Sequence, residues 1–257
     1  MELIQVSSAR LEVQRLPGPA GSILAPIVFL HEGLGSVAMW RDWPAQVCRR
    51  TGRAGLIYSR RGYGQSDPIP DVRGAGRLQP DYMHREAWEV LPELLAALHV
   101  ELPVLLGHSD GGSIALLHAS QMAVTACVVM APHVLVEDQS LRAIAQARAD
   151  WQSGLLRQRL QRYHADVDCA FWQWNDAWLS PQFRDFDIRP QCRRIAAPVL
   201  AIQGTQDPYG SMRQIDEITP TLGHFTPIAL AGCGHSPQRD APELTLSHIT
   251  RFLAALP

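Results

Sequence analysis

The stretch Val104-Leu105-Leu106-Gly107-His108-Ser109-Asp110-Gly111-Gly112 sets a serine between two glycines, directly after an apolar run and before the small and apolar residues 113–119. A strand that turns at once into a helix strains its central residue, and a Cβ beside that residue would clash. Gly107 and Gly111 remove the clash. The Ser109 hydroxyl is thereby lifted to the tip of a sheet, over a helix N-terminus that favours negative charge. Gly-x-Ser-x-Gly alone is a common turn. The strand before it and the helix after it make Ser109 a candidate nucleophile.

A serine hydroxyl needs a base to take its proton, and a histidine base needs a carboxylate to fix its tautomer and stabilise the imidazolium. The acid candidate is Asp207, in Ile202-Gln203-Gly204-Thr205-Gln206-Asp207-Pro208, past an apolar run and in a loop marked by glycine and proline. Alone, Asp-Pro reads as a turn former. Loops at the carboxyl ends of parallel strands share one edge, however, and that edge carries the serine. The base candidate is His235, in Gly232-Cys233-Gly234-His235-Ser236-Pro237, beyond the last strand-like run. Of ten histidines it alone completes the order serine, aspartate, histidine with each after a strand. His31, His133 and His224 are the alternatives, and His108 is expected to point away across the turn.

Attack on a carbonyl creates an oxyanion, which two backbone N–H groups can hold. Asp110, the residue after the serine, should supply one. The other is expected from His31-Glu32-Gly33-Leu34-Gly35, where glycine lets the backbone approach the reacting carbonyl. Gly33 is the first choice and Leu34 the alternative.

These groups need a sheet to position them. Strand-like runs at residues 11–15, 27–30, 56–58, 104–106, 127–130, 199–202 and 228–230 alternate with helical patterns near 40–50, 85–99, 113–121, 212–218 and 243–256. Several runs are continuously apolar, as strands covered on both faces are. The alternation predicts a doubly wound, mostly parallel α/β sheet. Residues 1–15 alternate like a strand and lack a signal-peptide core, and residues 67–80 read as a long surface loop.

The totals exclude several function classes. A net charge of −2 points to neither nucleic acid nor an anionic membrane. No apolar run approaches the roughly 20 residues that span a bilayer. A cytoplasmic protein with no membrane partner is expected. Five scattered cysteines without a Cys-x-x-Cys pair suit reduced thiols rather than a disulfide framework or structural zinc. All 23 basic residues are arginine, which removes Schiff-base lysine chemistry and a P-loop lysine together.

Residues 134–190 break the strand–helix rhythm. Leu141, Ile144, Ala145, Trp151, Leu155, Leu156, Leu160 and Tyr163 follow an amphipathic helical spacing, interrupted near Gly154. A tryptophan-rich segment follows, with Trp172, Trp174 and Trp178 spaced so that Trp174 and Trp178 share one helical face and Trp172 lies elsewhere. Such an insertion is a natural lid over the carboxyl edge of a sheet. Its tryptophans either line a substrate pocket or dock the lid on the core.

Taken together, the chain resembles the α/β-hydrolase-fold serine hydrolases that carry a helical cap. The matching residues are the His31–Gly35 loop, Arg61-Gly62-Tyr63-Gly64-Gln65-Ser66, Gly107–Gly111, Gly204–Asp207 and Gly234–His235, in the family's order of serine, acid and histidine. The resemblance implies an eight-stranded, mostly parallel sheet flanked by helices. It implies a core of residues 1–133 and 191–257, with a cap of residues 134–190 inserted after the sixth strand. It implies a Ser109–Asp207–His235 triad, an oxyanion hole at Gly33 and Asp110, and hydrolysis through an acyl-enzyme without a cofactor. A small carboxylic ester is the expected substrate, with thioesters and lactones open to the same machinery. Leu34, Trp172, Trp174 and Trp178 are the expected substrate contacts. C–C bond hydrolysis of ring-cleavage products is a second reading, with Arg157, Arg159 and Arg162 as its cation supply. A small-molecule receptor is a third. Three residues depart from the family pattern: Glu32 replaces a glycine, Ser59 an aspartate, and Asp110 an apolar residue or glutamine.

Overall fold

The computed structural model describes residues 1–256. Eight strands, β1 Glu2–Val6, β2 Ala9–Leu16, β3 Ile27–Leu30, β4 Gly55–Tyr58, β5 Val104–His108, β6 Ala126–Met130, β7 Val199–Gly204 and β8 Phe225–Leu230, form one sheet. Their order is β1-β2-β4-β3-β5-β6-β7-β8. β1 and β2 pair antiparallel, as do β2 and β4, and every other pairing is parallel. The single strand read over residues 1–15 is a hairpin that turns at Ser7, whose φ of 48° no glycine or proline announces.

The helices are α1 Trp43–Thr51, α2 Tyr82–Arg85, α3 Leu91–Ala97, α4 Asp110–Ala119, α5 Asp138–Gln152, α6 Leu155–Leu160, α7 Val167–Trp178, α8 Arg189–Cys192, α9 Arg213–Asp216, α10 Pro237–Asp240 and α11 Pro242–Ala254. A π-helical turn, Glu86–Val90, joins α2 to α3. The helical pattern read near residues 40–50 begins instead as a 3-10 turn, Val37–Trp40, ahead of α1. α5 to α8 all lie between β6 and β7.

Side chains alternate across the central strands. Val28, Leu30, Leu105, Cys127 and Val129 face a core that also takes in Ile114, Phe171, Trp174 and Trp178. Ile27, Phe29, Val104, Leu106 and Val128 face the other, under Val47 of α1 and Leu246, Ile249 and Leu253 of α11. Every residue of β5, β6 and β7 is buried, which explains their unbroken apolar runs. α4 is buried along its whole length, so it shows no apolar stripe, and its polar Asp110, Ser113 and His118 are each hydrogen-bonded. All five cysteines are free and buried.

Candidate active site

Ser109 sits between β5 and α4 at φ 53°, ψ −121°, the strained conformation its flanks predict. A Cβ on Gly107 would lie 2.1 Å from the Gly111 carbonyl oxygen, and one on Gly111 would lie 2.1 Å from the Leu30 carbonyl oxygen. Both positions are therefore closed to any side chain. β7 and β8 end at the same edge and deliver the loops of Asp207 and His235. His235 Nε2 lies 3.0 Å from Ser109 Oγ, and His235 Nδ1 lies 2.7 Å from Asp207 Oδ2. The structure thus brings together the three residues singled out in the sequence.

Asp207 is held by more than histidine. Its Oδ1 accepts from the Tyr209 amide at 2.7 Å, and its Oδ2 also accepts from Gln203 Nε2 at 2.8 Å. Burial pushes its carboxyl up, but the hydrogen bond and charge of His235 and the Tyr209 amide outweigh it, and the net direction is down. The carboxylate stays ionised and aimed at the imidazole.

The His31–Gly35 loop is fixed by its carbonyls. Arg60 is buried and donates through Nη1 to the His31 carbonyl at 2.6 Å and through Nη2 to the Glu32 carbonyl at 3.1 Å. His31 Nδ1 donates to the same Glu32 carbonyl at 2.7 Å, while its Nε2 accepts from the Arg60 amide. His164, from the insertion, donates to the Leu34 carbonyl at 3.1 Å. In a trans peptide the N–H points opposite to the preceding C=O. Tying the Glu32 carbonyl to Arg60 therefore turns the Gly33 N–H the other way. The Asp110 amide, first in α4, has no intrahelical acceptor. Gly33, Leu34, Ser109 and Asp110 all line one cavity of about 220 Å³.

Trp174 and Trp178 line that cavity too, whereas Trp172 does not. Trp172 lies under the Arg73 guanidinium, 3.8 Å from its ring centre, and edge-on to Trp151. The expectation that it contacts substrate is thus corrected: α7 turns it toward α5 and the 67–80 loop. Trp174 lies so close to Gly33 that a Cβ there would meet its Nε1 at 2.2 Å. Gly33→Ala should therefore displace Trp174 or the loop, and turnover should fall by about 10²–10³ as one oxyanion donor shifts. Steady-state kinetics on a small aryl ester check this, and unchanged kcat would refute the donor assignment.

Each of the three departures has a structural account. Glu32 folds back over Gly35, its carboxylate 3.5 Å from His108 Nδ1 and 3.6 Å from Arg239 Nη2. Burial raises its carboxyl, and the neighbouring His108 and Arg239 more than reverse that, so it stays charged and paired. Ser59 donates to Glu12 Oε2 at 2.7 Å, and Glu12 accepts from the Gln65 amide as well. A carboxylate reaching from β2 thus meets the Ser59 hydroxyl. Asp110 is buried and accepts from Tyr82 Oη at 2.6 Å and Trp178 Nε1 at 3.2 Å, with Arg60 3.9 Å away. Burial nonetheless raises its carboxyl above the ordinary range.

Other groups at the site were not assigned from sequence. His108 does not point away: its Nε2 donates to the His235 carbonyl at 2.7 Å, bracing the base from behind. His133, Ile144, Tyr209 and Ser236 complete the cavity wall. Tyr209 stacks obliquely on the His235 ring with centres 4.6 Å apart. His133 Nδ1 is buried without a partner. Burial, with His235 nearby, lowers its imidazole to about 3.

The buried histidines make the fold acid-sensitive. Burial lowers His31 well below its ordinary value and His164 to about 4, so with His133 three imidazoles stay neutral while their unfolded counterparts take protons below pH 6.5. The unfolded state then binds more protons, and stability is lost as pH falls from 6.5 toward 4, by about 1.4 kcal/mol per pH unit for each histidine. The raised carboxyls of Asp110 and Glu86 offset part of this. Urea unfolding at pH 7.5 and pH 5 should show the loss, and equal midpoints would contradict it.

The profile of the Alpha/beta hydrolase family matches residues 27–247. The chain belongs to that family, a family of hydrolases. It is 26% identical over 263 residues to the sn-1-specific diacylglycerol lipase ABHD11 of Xenopus laevis, covering 91% of this chain and 81% of the relative. Among solved structures it is similar to the enol-lactonase from Burkholderia xenovorans LB400, with a TM-score of 0.75, 15% identity and coverage of 98% and 100%. It is likewise similar to the meta-cleavage product hydrolase from Pseudomonas fluorescens IP01, with a TM-score of 0.77, 16% identity and coverage of 99% and 97%. No helix among the described residues is long and apolar enough to cross a membrane.

Proposed function

We propose that the protein is a serine hydrolase that cleaves a small carboxylic ester through an acyl-enzyme. The observation that carries this reading is the unbroken hydrogen-bonded chain from Ser109 Oγ through His235 to Asp207, opening on the cavity. His235 takes the proton of Ser109 as the oxygen attacks the ester carbonyl. The oxyanion is held by the N–H groups of Gly33 and Asp110. His235 then gives its proton to the leaving alkoxide, and water repeats the sequence to free the acid.

The cavity is small, below the roughly 300–1,000 Å³ of drug-sized sites, and Trp174, Trp178 and Ile144 give it an apolar wall. A short or aromatic acyl group suits it. The diacylglycerol lipase relative, named for an ester substrate, supports ester over thioester. Residues 134–190 act as a cap, with Trp174 and Trp178 as the contacts it gives to substrate.

The C–C hydrolase reading needs a cation for a substrate carboxylate. No arginine lines the cavity among the described residues. Arg157 pairs with Asp168 at 2.6 Å, and Arg159 and Arg162 are exposed. Ester hydrolysis is therefore preferred. The deciding experiment is intact-mass analysis after exposure to a fluorophosphonate, with Ser109→Ala and His235→Ala in parallel. A single adduct on Ser109 that needs His235, together with turnover of 4-nitrophenyl acetate, is the expected result. Folded protein that takes no adduct would overturn the reading in favour of a receptor.

A further inference from the structure

A second cavity, of about 360 Å³, lies between the 67–80 loop, the α2–α3 segment and α7. It shares no lining residue with the cavity at Ser109. The Tyr82–Asp110 hydrogen bond and the Arg60 guanidinium stand between the two.

The chemistry of its wall is uneven. Ile69, Leu78 and Val90 supply apolar surface, with the rings of Tyr63 and Tyr82. Four arginines line it, namely Arg60, Arg61, Arg77 and Arg85, against two glutamates. Arg85 pairs with Glu89 at 3.4 Å. Among the described residues the Arg61 side chain donates only to the Pro68 carbonyl and the Ser8 hydroxyl, and the Arg77 side chain only to the Asp176 carbonyl. Neither has a carboxylate within 4.0 Å among the described residues. Glu86 accepts from Tyr58 Oη, and burial raises its carboxyl, which weakens it as a counter-ion.

The positive excess selects an anionic head, and guanidinium groups favour a planar carboxylate.

We propose that this cavity is a second ligand site, taking a small molecule with an apolar body and a carboxylate head. The head meets Arg77 and Arg61, and the body lies against Leu78 and Val90. The site stands apart from the serine chemistry and does not depend on it.

The test uses 4-fluorophenylacetate as probe, with binding read from 19F line broadening on the whole protein. Saturable binding is expected, weakened about ten-fold or more in Arg77→Ala and with the uncharged analogue 4-fluorophenethyl alcohol. Prior fluorophosphonate treatment should leave it unchanged, because the Ser109 cavity is separate. Arg77 is exposed, so its truncation leaves the fold intact. Absence of saturable binding, or equal affinity in Arg77→Ala, would overturn the proposal. Binding lost only after fluorophosphonate treatment would place the probe at Ser109 instead and refute it equally. The arginine comparison holds whether or not Ser109 reacts.

Discussion

Ser109→Ala should lower turnover of a small aryl ester by on the order of 10⁵–10⁶-fold while leaving the folded structure unchanged. The oxygen removed is the one that lies 3.0 Å from His235 Nε2, and no other hydroxyl bonds that nitrogen among the described residues. The Ser109 hydroxyl contributes no other side-chain hydrogen bond, and Ala removes one atom at a position 6% exposed. The backbone strain at φ 53° is carried by the flanking glycines and by the Ser109 amide bond to Met130, which alanine retains. Residual rate over water would come from the oxyanion donors and binding alone. Kinetics with thermal unfolding in parallel provide the check, and a variant that is folded and still within ten-fold of wild type would remove Ser109 as nucleophile.

Asp207→Asn should cost about 10⁴ in kcat with little loss of fold. Three donors converge on this carboxylate: His235 Nδ1, Gln203 Nε2 and the Tyr209 amide. An amide offers one acceptor oxygen and one donor nitrogen. If its oxygen keeps Tyr209, its NH₂ faces His235 and drives the proton to Nε2, where it blocks acceptance from Ser109. If the oxygen keeps His235, the NH₂ opposes the Tyr209 amide at 2.7 Å and the loop must shift. Both arrangements harm the base. The comparison to make is kcat for Asp207→Asn and Asp207→Glu, and a loss below ten-fold in Asn would separate Asp207 from catalysis.

What could be read from the sequence follows from how local each requirement is. The serine turn was legible because steric limits fall on its immediate neighbours, Gly107 and Gly111. The convergence of Asp207 and His235 on Ser109 was legible through strand order, since parallel strands deliver their following loops to one edge. The parallel core strands were legible because their burial on both faces leaves continuous apolar runs. The β1–β2 hairpin was missed because Ser7 adopts a positive φ without a glycine or proline to mark it. Glu12 was missed because its partners, Ser59 and Gln65, lie more than forty positions away in sequence. Ile144, Tyr209 and Ser236 were missed as cavity residues, and His133 was named only as an alternative base, because a wall built from separate elements leaves no spacing to detect. Trp172 was misplaced for the same reason: helical spacing separates it from Trp174 and Trp178 but does not say which face meets the serine.

The insertion is bound to the candidate site at several points. Trp178 bonds the side chain of Asp110, Trp174 covers Gly33, and His164 joins the Gly64 amide to the Leu34 carbonyl. The inner face of the insertion is therefore not free to vary, because a change there is felt as a loss of rate before it is felt as a change of preference. Its outer face, where α6 carries Arg157 and Arg159 into solvent, bears no such duty. Diversification of this protein toward new substrates should thus begin at Ile144, whose side chain lines the cavity and bonds none of the three residues Ser109, Asp207 and His235, and should reach Tyr209, whose amide holds Asp207, and the tryptophans last.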